Sequence, residues 1–94
     1  DVSIELSFEL SEFFALDGLS RAFFTSGGSD SVETSLRLAR QYHKLRGEAG
    51  RTKFLSLKKG YHGTHIGGAS VNGNANFRNA YEPLLPGCFH IPAP

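Results

Sequence analysis

An α/β fold, with parallel strands joined by crossover helices, is predicted by three observations on this chain. Two long segments repeat apolar residues at helical spacing, short aromatic or alternating runs read as strands, and the two kinds of segment alternate. The loops that follow the strands then gather at one sheet edge, where ligands of open α/β sheets bind.

Glu5 to Leu16 sets Leu6, Leu10, Phe13 and Phe14 at helical spacing and Glu5, Glu9 and Glu12 elsewhere, which predicts an amphipathic helix whose phenylalanines pack into a core. Asp17-Gly18 ends it. Ser20 to Thr25 is short, aromatic-rich and bounded by polar residues or glycine, so it reads as a first, largely buried strand. Ser26-Gly27-Gly28-Ser29 removes the Cβ barrier twice, and the backbone can turn sharply there and approach a ligand. From Asp30 to Arg46 the helical period returns, with Val32, Leu36 and Ala39 on one face and Leu38, Tyr42 and Leu45 beside it. Asp30 is the expected N-cap and Glu33 its capping-box partner. Arg37, Arg40, Lys44 and Arg46 suit the later, solvated turns, His43 is expected to be exposed among them, and Gly47 is the stop.

Thr52 to Leu57 alternates into a second strand, expected to pair in parallel with the first through a right-handed crossover. Just beyond it stands Tyr61-His62-Gly63-Thr64-His65. Gly67 to Val71 is a small-residue segment suited to close packing as a short helix, Asn72 to Asn79 reads as loop, and Cys88 to Pro92 as a third, short strand.

Composition narrows the function classes. A net charge of +1 over 94 residues, with scattered basic residues, argues against nucleic acid and anionic membrane surfaces. The single cysteine, Cys88, rules out an internal disulfide and suits a reducing compartment, and no apolar run or signal pattern points to a membrane or to export; the cytoplasm is expected. The chain opens at Asp1 without methionine and stops after Ile91-Pro92-Ala93-Pro94, which is read as a piece of something longer.

Two stretches carry chemistry. A strand, a glycine turn and a capped helix put first-turn N–H groups and the positive end of a helix dipole at Gly27-Gly28-Ser29, which makes an anion cradle suited to phosphate; the same shape also describes a purely structural strand-to-helix junction. No lysine follows the glycines as in a P-loop, and the adjacent glycines do not match a dinucleotide fingerprint. Tyr61, flanked by glycines, can stack on a planar ligand, and His62 can orient a group on it, unless both are ordinary loop residues. His62 and His65 have a spacing seen in metal sites, but nothing nearby completes a ligand set, so no metal is expected.

Phe23-Phe24-Thr25-Ser26-Gly27-Gly28-Ser29-Asp30-Ser31-Val32-Glu33, then Ala39-Arg40-Gln41-Tyr42-His43, Arg51-Thr52-Lys53-Phe54 and Tyr61-His62-Gly63-Thr64, resembles the class III aminotransferases, pyridoxal 5'-phosphate (PLP) enzymes of fold type I. The ω-amino acid:pyruvate group is the nearest in flavour, and Glu82-Pro83-Leu84-Leu85-Pro86-Gly87 and His90-Ile91-Pro92-Ala93-Pro94 fit it too. The resemblance implies that residues 1–94 are a partial large domain, without the Schiff-base lysine region. It implies that Gly28 and Ser29, with Asp30 where the family usually has glutamate, hold the cofactor phosphate. It assigns the ring-stacking aromatic to Tyr61 and the following His-Gly to His62 and Gly63. Ser26-Gly27-Gly28-Ser29 departs from the Asn-Ser-Gly-Ser of many relatives but keeps the backbone donors. The family's Schiff-base lysine and pyridinium-pairing aspartate fall downstream of Pro94, and Lys44, Lys53, Lys58 and Lys59 lack that context. The implied reaction, in a longer homodimeric parent, moves an amino group from an amine or ω-amino acid to a keto acid such as pyruvate. The segment alone is expected to be inactive, and the alternative is a non-catalytic α/β module that binds a phosphate ligand or a protein.

Overall fold

A computed structural model describes all 94 residues, Asp1–Pro94. Helix α1 spans Val2–Phe13, started by Asp1, whose carboxylate accepts from the N–H groups of Ser3 (2.7 Å) and Ile4 (3.2 Å). A 3₁₀ turn at Ala15–Asp17 and Gly18 follow, and α2 covers Gly28–Leu45. Strand β1 is Phe54–Leu57, α3 is Ile66–Val71, and 3₁₀ turns at Ala75–Phe77 and Asn79–Tyr81 lead to β2, Cys88–Ile91.

β1 and β2 form a two-stranded parallel sheet in register Phe54↔Cys88, Leu55↔Phe89, Ser56↔His90 and Leu57↔Ile91. Ladder ends are extended by Phe54 N–H to the Gly87 carbonyl (2.8 Å) and Lys58 N–H to the Ile91 carbonyl (2.7 Å). Alternation gives the sheet two unlike faces: Phe54, Ser56, Cys88 and His90 are half-buried, whereas Leu55, Leu57, Phe89 and Ile91 are exposed. α3 lies between the strands and α2. Its small residues make that position tenable, and the buried residues are Gly63 and the unbroken run Gly67 to Gly73. Ser56 Oγ–H donates to the Val71 carbonyl (2.6 Å), and the Leu85 N–H donates to Ser70 Oγ (3.0 Å), which fastens α3 to β1 and to the segment before β2.

Several expectations are corrected. Ser20 to Thr25 forms no strand, because a strand needs a ladder partner and the sheet consists of β1 and β2 alone. The crossover therefore does not run through α2: the parallel pair is joined through α3 and the two 3₁₀ turns. Phe13 and Phe14 do not reach a core, since α1 contains no buried residue; Ser11 Oγ–H, donating to the Ser20 carbonyl (3.0 Å), ties the helix only to the neighbouring segment. His43 is half-buried rather than exposed, because it continues the inward row of Val32, Leu36 and Ala39 at helical spacing.

Candidate functional site

The first turn of α2 is built from hydroxyls and glycine. Gly27, in extended conformation, is the N-cap, and the first ladder bond runs from the Ser31 N–H to the Gly27 carbonyl (3.0 Å). The N–H groups of Gly28, Ser29 and Asp30 therefore precede the ladder, at the positive end of an 18-residue helix. Thr25 Oγ1 and Ser31 Oγ each donate to the Gly27 carbonyl (3.1 Å) and lie within hydrogen-bond range of one another, which fixes the turn.

Asp30 is not the N-cap expected of it. It stands inside the first turn, where its carboxylate accepts from Ser26 Oγ–H (2.8 Å) and faces His65 Nε2 (2.9 Å). The His65 bond foremost, then that of Ser26, holds its carboxyl below the usual carboxylate range. Glu33 closes no capping box either: its Oε1 accepts the Gly68 N–H (2.7 Å) at the start of α3.

These contacts form a seam. Thr64 N–H to Ser29 Oγ (3.4 Å), His65 to Asp30 and Gly68 N–H to Glu33 each link residues 35 apart, so segment 64–68 runs in step with the first turns of α2. Gly63 opens that segment with a φ of +98°, and a Cβ there would stand 2.5 Å from Ser29 Oγ. The structure thus brings Ser29 and Asp30 beside residues 63–65, which follow Tyr61 and His62; no such contact joins Gly28 or the Tyr61 ring to that turn of α2.

Tyr61 is 59% exposed and meets Phe77 edge-on, with ring centroids 5.3 Å apart at 65°. The His62 N–H donates to Asn72 Oδ1, and His62 lines a cavity with Val32, Leu36 and Val71. His62 and His65 are not joined by a third ligand: no group of three His, Cys, Asp or Glu side chains converges anywhere in the chain. A cavity of about 530 Å³ lies away from the first turn of α2, between Leu36, Phe54 and Leu85 with Arg37, Arg40 and Lys44 around it. Phe77 and Asn72 escaped the sequence reading. A lone phenylalanine within an Asn-rich loop was a usable signal for the first, whereas nothing local marks Asn72 as buried.

The family model described as aminotransferase class-III matches residues 2–94. The chain belongs to the class III aminotransferases. It is 43% identical over 90 residues to a probable aminotransferase of Mycobacterium tuberculosis, covering 96% of this chain and 19% of that protein. An omega-aminotransferase of Caulobacter vibrioides is 44% identical over 75 residues, which are 80% of this chain and 17% of that one. An amine transaminase from an uncultivated Pseudomonas species, solved in its PLP-bound form, superposes with a TM-score of 0.92 at 48% identity, over 97% of this chain and 20% of that one. This class III chain therefore spans about a fifth of the length of the relatives it matches and shares their α/β fold.

Proposed function

We propose that residues 1–94 are part of the large, cofactor-binding domain of a PLP-dependent aminotransferase, and that they hold the cofactor by its phosphate and its ring. One observation carries the reading: Ser29 meets Thr64 and Gly63, so unladdered N–H groups and an aromatic turn lie side by side. A flat, phosphorylated ring fits that pair, with anion donors at one end and a stacking surface at the other. The N–H groups of Gly28, Ser29 and Asp30 and the Ser29 hydroxyl would take the phosphate. A free carboxylate beside a dianion would repel it, but that of Asp30 is engaged by Ser26 and His65. Tyr61 would stack on the ring, while Gly63 keeps the turn close to Ser29 and His62 joins it through its backbone.

When bound, the cofactor supplies the electron sink that amino-group transfer requires. The proposed reaction is transfer from an amine or ω-amino acid to a keto acid such as pyruvate. It needs a lysine and an aspartate that these residues do not provide, so the segment alone is proposed to be inactive. The parent is proposed to be a cytoplasmic homodimer without nucleic-acid or membrane partners; no helix here is long and apolar enough to cross a membrane.

Ser29→Asp in the full-length protein tests the cradle. A carboxylate at that position should weaken apoenzyme binding of both PLP and inorganic phosphate by at least about tenfold through like-charge repulsion. Unchanged affinity would sink the assignment. Borohydride reduction of the holoenzyme followed by peptide mass analysis separates the two readings: one specific phosphopyridoxyl lysine supports the enzyme, and its absence with PLP still bound supports a non-catalytic module.

A further inference from the structure

We infer that Asn72 is a positioning residue for the Tyr61 turn, an inference that rests on the proposed stacking role of Tyr61. Asn72 is 1% exposed, the largest fully buried side chain in the chain. Its amide spans two consecutive residues of the turn: Oδ1 accepts the His62 N–H, and Nδ2 donates to the Gly63 carbonyl (2.9 Å). That pairing fixes the amide orientation, because the flipped form would set oxygen against oxygen and N–H against N–H. A buried amide is costly unless both ends are satisfied, so an apolar side chain would serve packing alone at lower cost. Here both ends are used, and both on the residues that follow Tyr61.

The next residue adds a third tie. The Gly73 N–H donates to the Gly60 carbonyl (2.7 Å), and a Cβ on Gly73 would stand 2.7 Å from the Lys59 nitrogen and 2.8 Å from that of Gly60. Asn72-Gly73 therefore grips residues 60, 62 and 63 and brackets Tyr61 on both sides. Lys59, at the entrance, has a φ of +70°, a conformation that side-chain-bearing residues adopt only when their surroundings impose it. Tyr61 itself is 59% exposed, with Phe77 the one aromatic ring against it, so its placement depends chiefly on the backbone that carries it.

The test uses the full-length holoenzyme, with Asn72→Asp, which keeps the acceptor for His62 but sets an oxygen against the Gly63 carbonyl, and Asn72→Ala, which removes both bonds. Each is made with Tyr61 present and in a Tyr61→Ala background. Amide exchange across residues 58–66 is read in the apoenzyme, and the rate of PLP loss and the visible circular dichroism in the holoenzyme. The expected result is faster exchange in that segment and about tenfold faster PLP loss when Tyr61 is present, with no further acceleration in Tyr61→Ala. Equal acceleration in both backgrounds would overturn the inference, since Asn72 would then support the fold and not the platform. So would an unchanged rate in both Asn72 variants while Tyr61→Ala alone speeds loss. If Tyr61→Ala leaves PLP loss unchanged, stacking by Tyr61 is what has failed, and the positioning role falls with it.

Discussion

His90 sits half-buried on the inner face of β2, and its Nε2 has no hydrogen-bond partner. Burial foremost, then the Arg78 charge, pushes its imidazole below the ordinary value of 6.5, with His62 adding to the effect. The folded state thus binds the proton more weakly than the unfolded one. The contribution is complete above pH 6.5, where His90 is neutral in both states, and it is lost as pH falls through the depressed folded value. A ring-proton NMR titration should give His90 a midpoint below 6.5, and the unfolding midpoint should fall less steeply between pH 7.5 and 5.5 in His90→Gln. A midpoint at or above 6.5 would refute the burial argument. Asp30 has the opposite ordinary charge but the same sign of linkage: its depressed carboxyl favours the folded state fully above the ordinary value of 3.8, and that contribution is lost as pH falls through the folded value.

The junction of α2 with the 62–64 turn is where local sequence and long-range contact meet. Helical periodicity in Val32, Leu36 and Ala39 made α2 legible, and the glycine stop after Leu45 marked its end. Its first residue was not legible, because Ser26, Asp30 and Glu33 all carry cap chemistry and the choice depends on partners 35 residues away, His65 and Gly68. Ser20 to Thr25 failed as a strand for a similar reason: composition can mark strand propensity but cannot supply a neighbour. The glycine turn ahead of α2 and the Tyr61-His62-Gly63 turn were visible as local features because each is a contiguous stretch of sequence. Asn72 could not, since its two partners lie 9 and 10 residues back and only the fold turns it inward. Gly63→Ala tests how closely the two elements must approach. The added Cβ would meet Ser29 Oγ at 2.5 Å in a backbone with φ +98°, so we expect a destabilisation of about 1–3 kcal/mol. Because the turn must also retreat from Ser29, PLP affinity should fall alongside the melting temperature. Retained affinity with a lowered melting temperature would mean that the contact matters to folding alone.

The exposed surface, 7382 Å², is large for a 10.2 kDa chain, since a self-contained folded monomer of that mass exposes about 5,300 Å². The radius of gyration agrees: 15.5 Å, where about 12 Å is expected for this length. Only 8 of 94 residues are buried, and Phe8, Phe13, Phe23, Leu55 and Phe89 all lie open to solvent. Burial is concentrated in residues 67–73 between α2 and the sheet, while α1 and the outer sheet face contribute almost none. A chain with so small a core does not offset its own conformational entropy with a wide margin. Residues 1–94 expressed alone should therefore bind a hydrophobic dye, melt broadly and show no transamination, whereas the same residues within a full-length protein should melt cooperatively and leave the dye unbound. A sharp melt of the isolated chain at monomer mass, without dye binding, would mean that α1 and residues 19–25 fold back over the bare sheet face and that the open arrangement is not the one populated in solution.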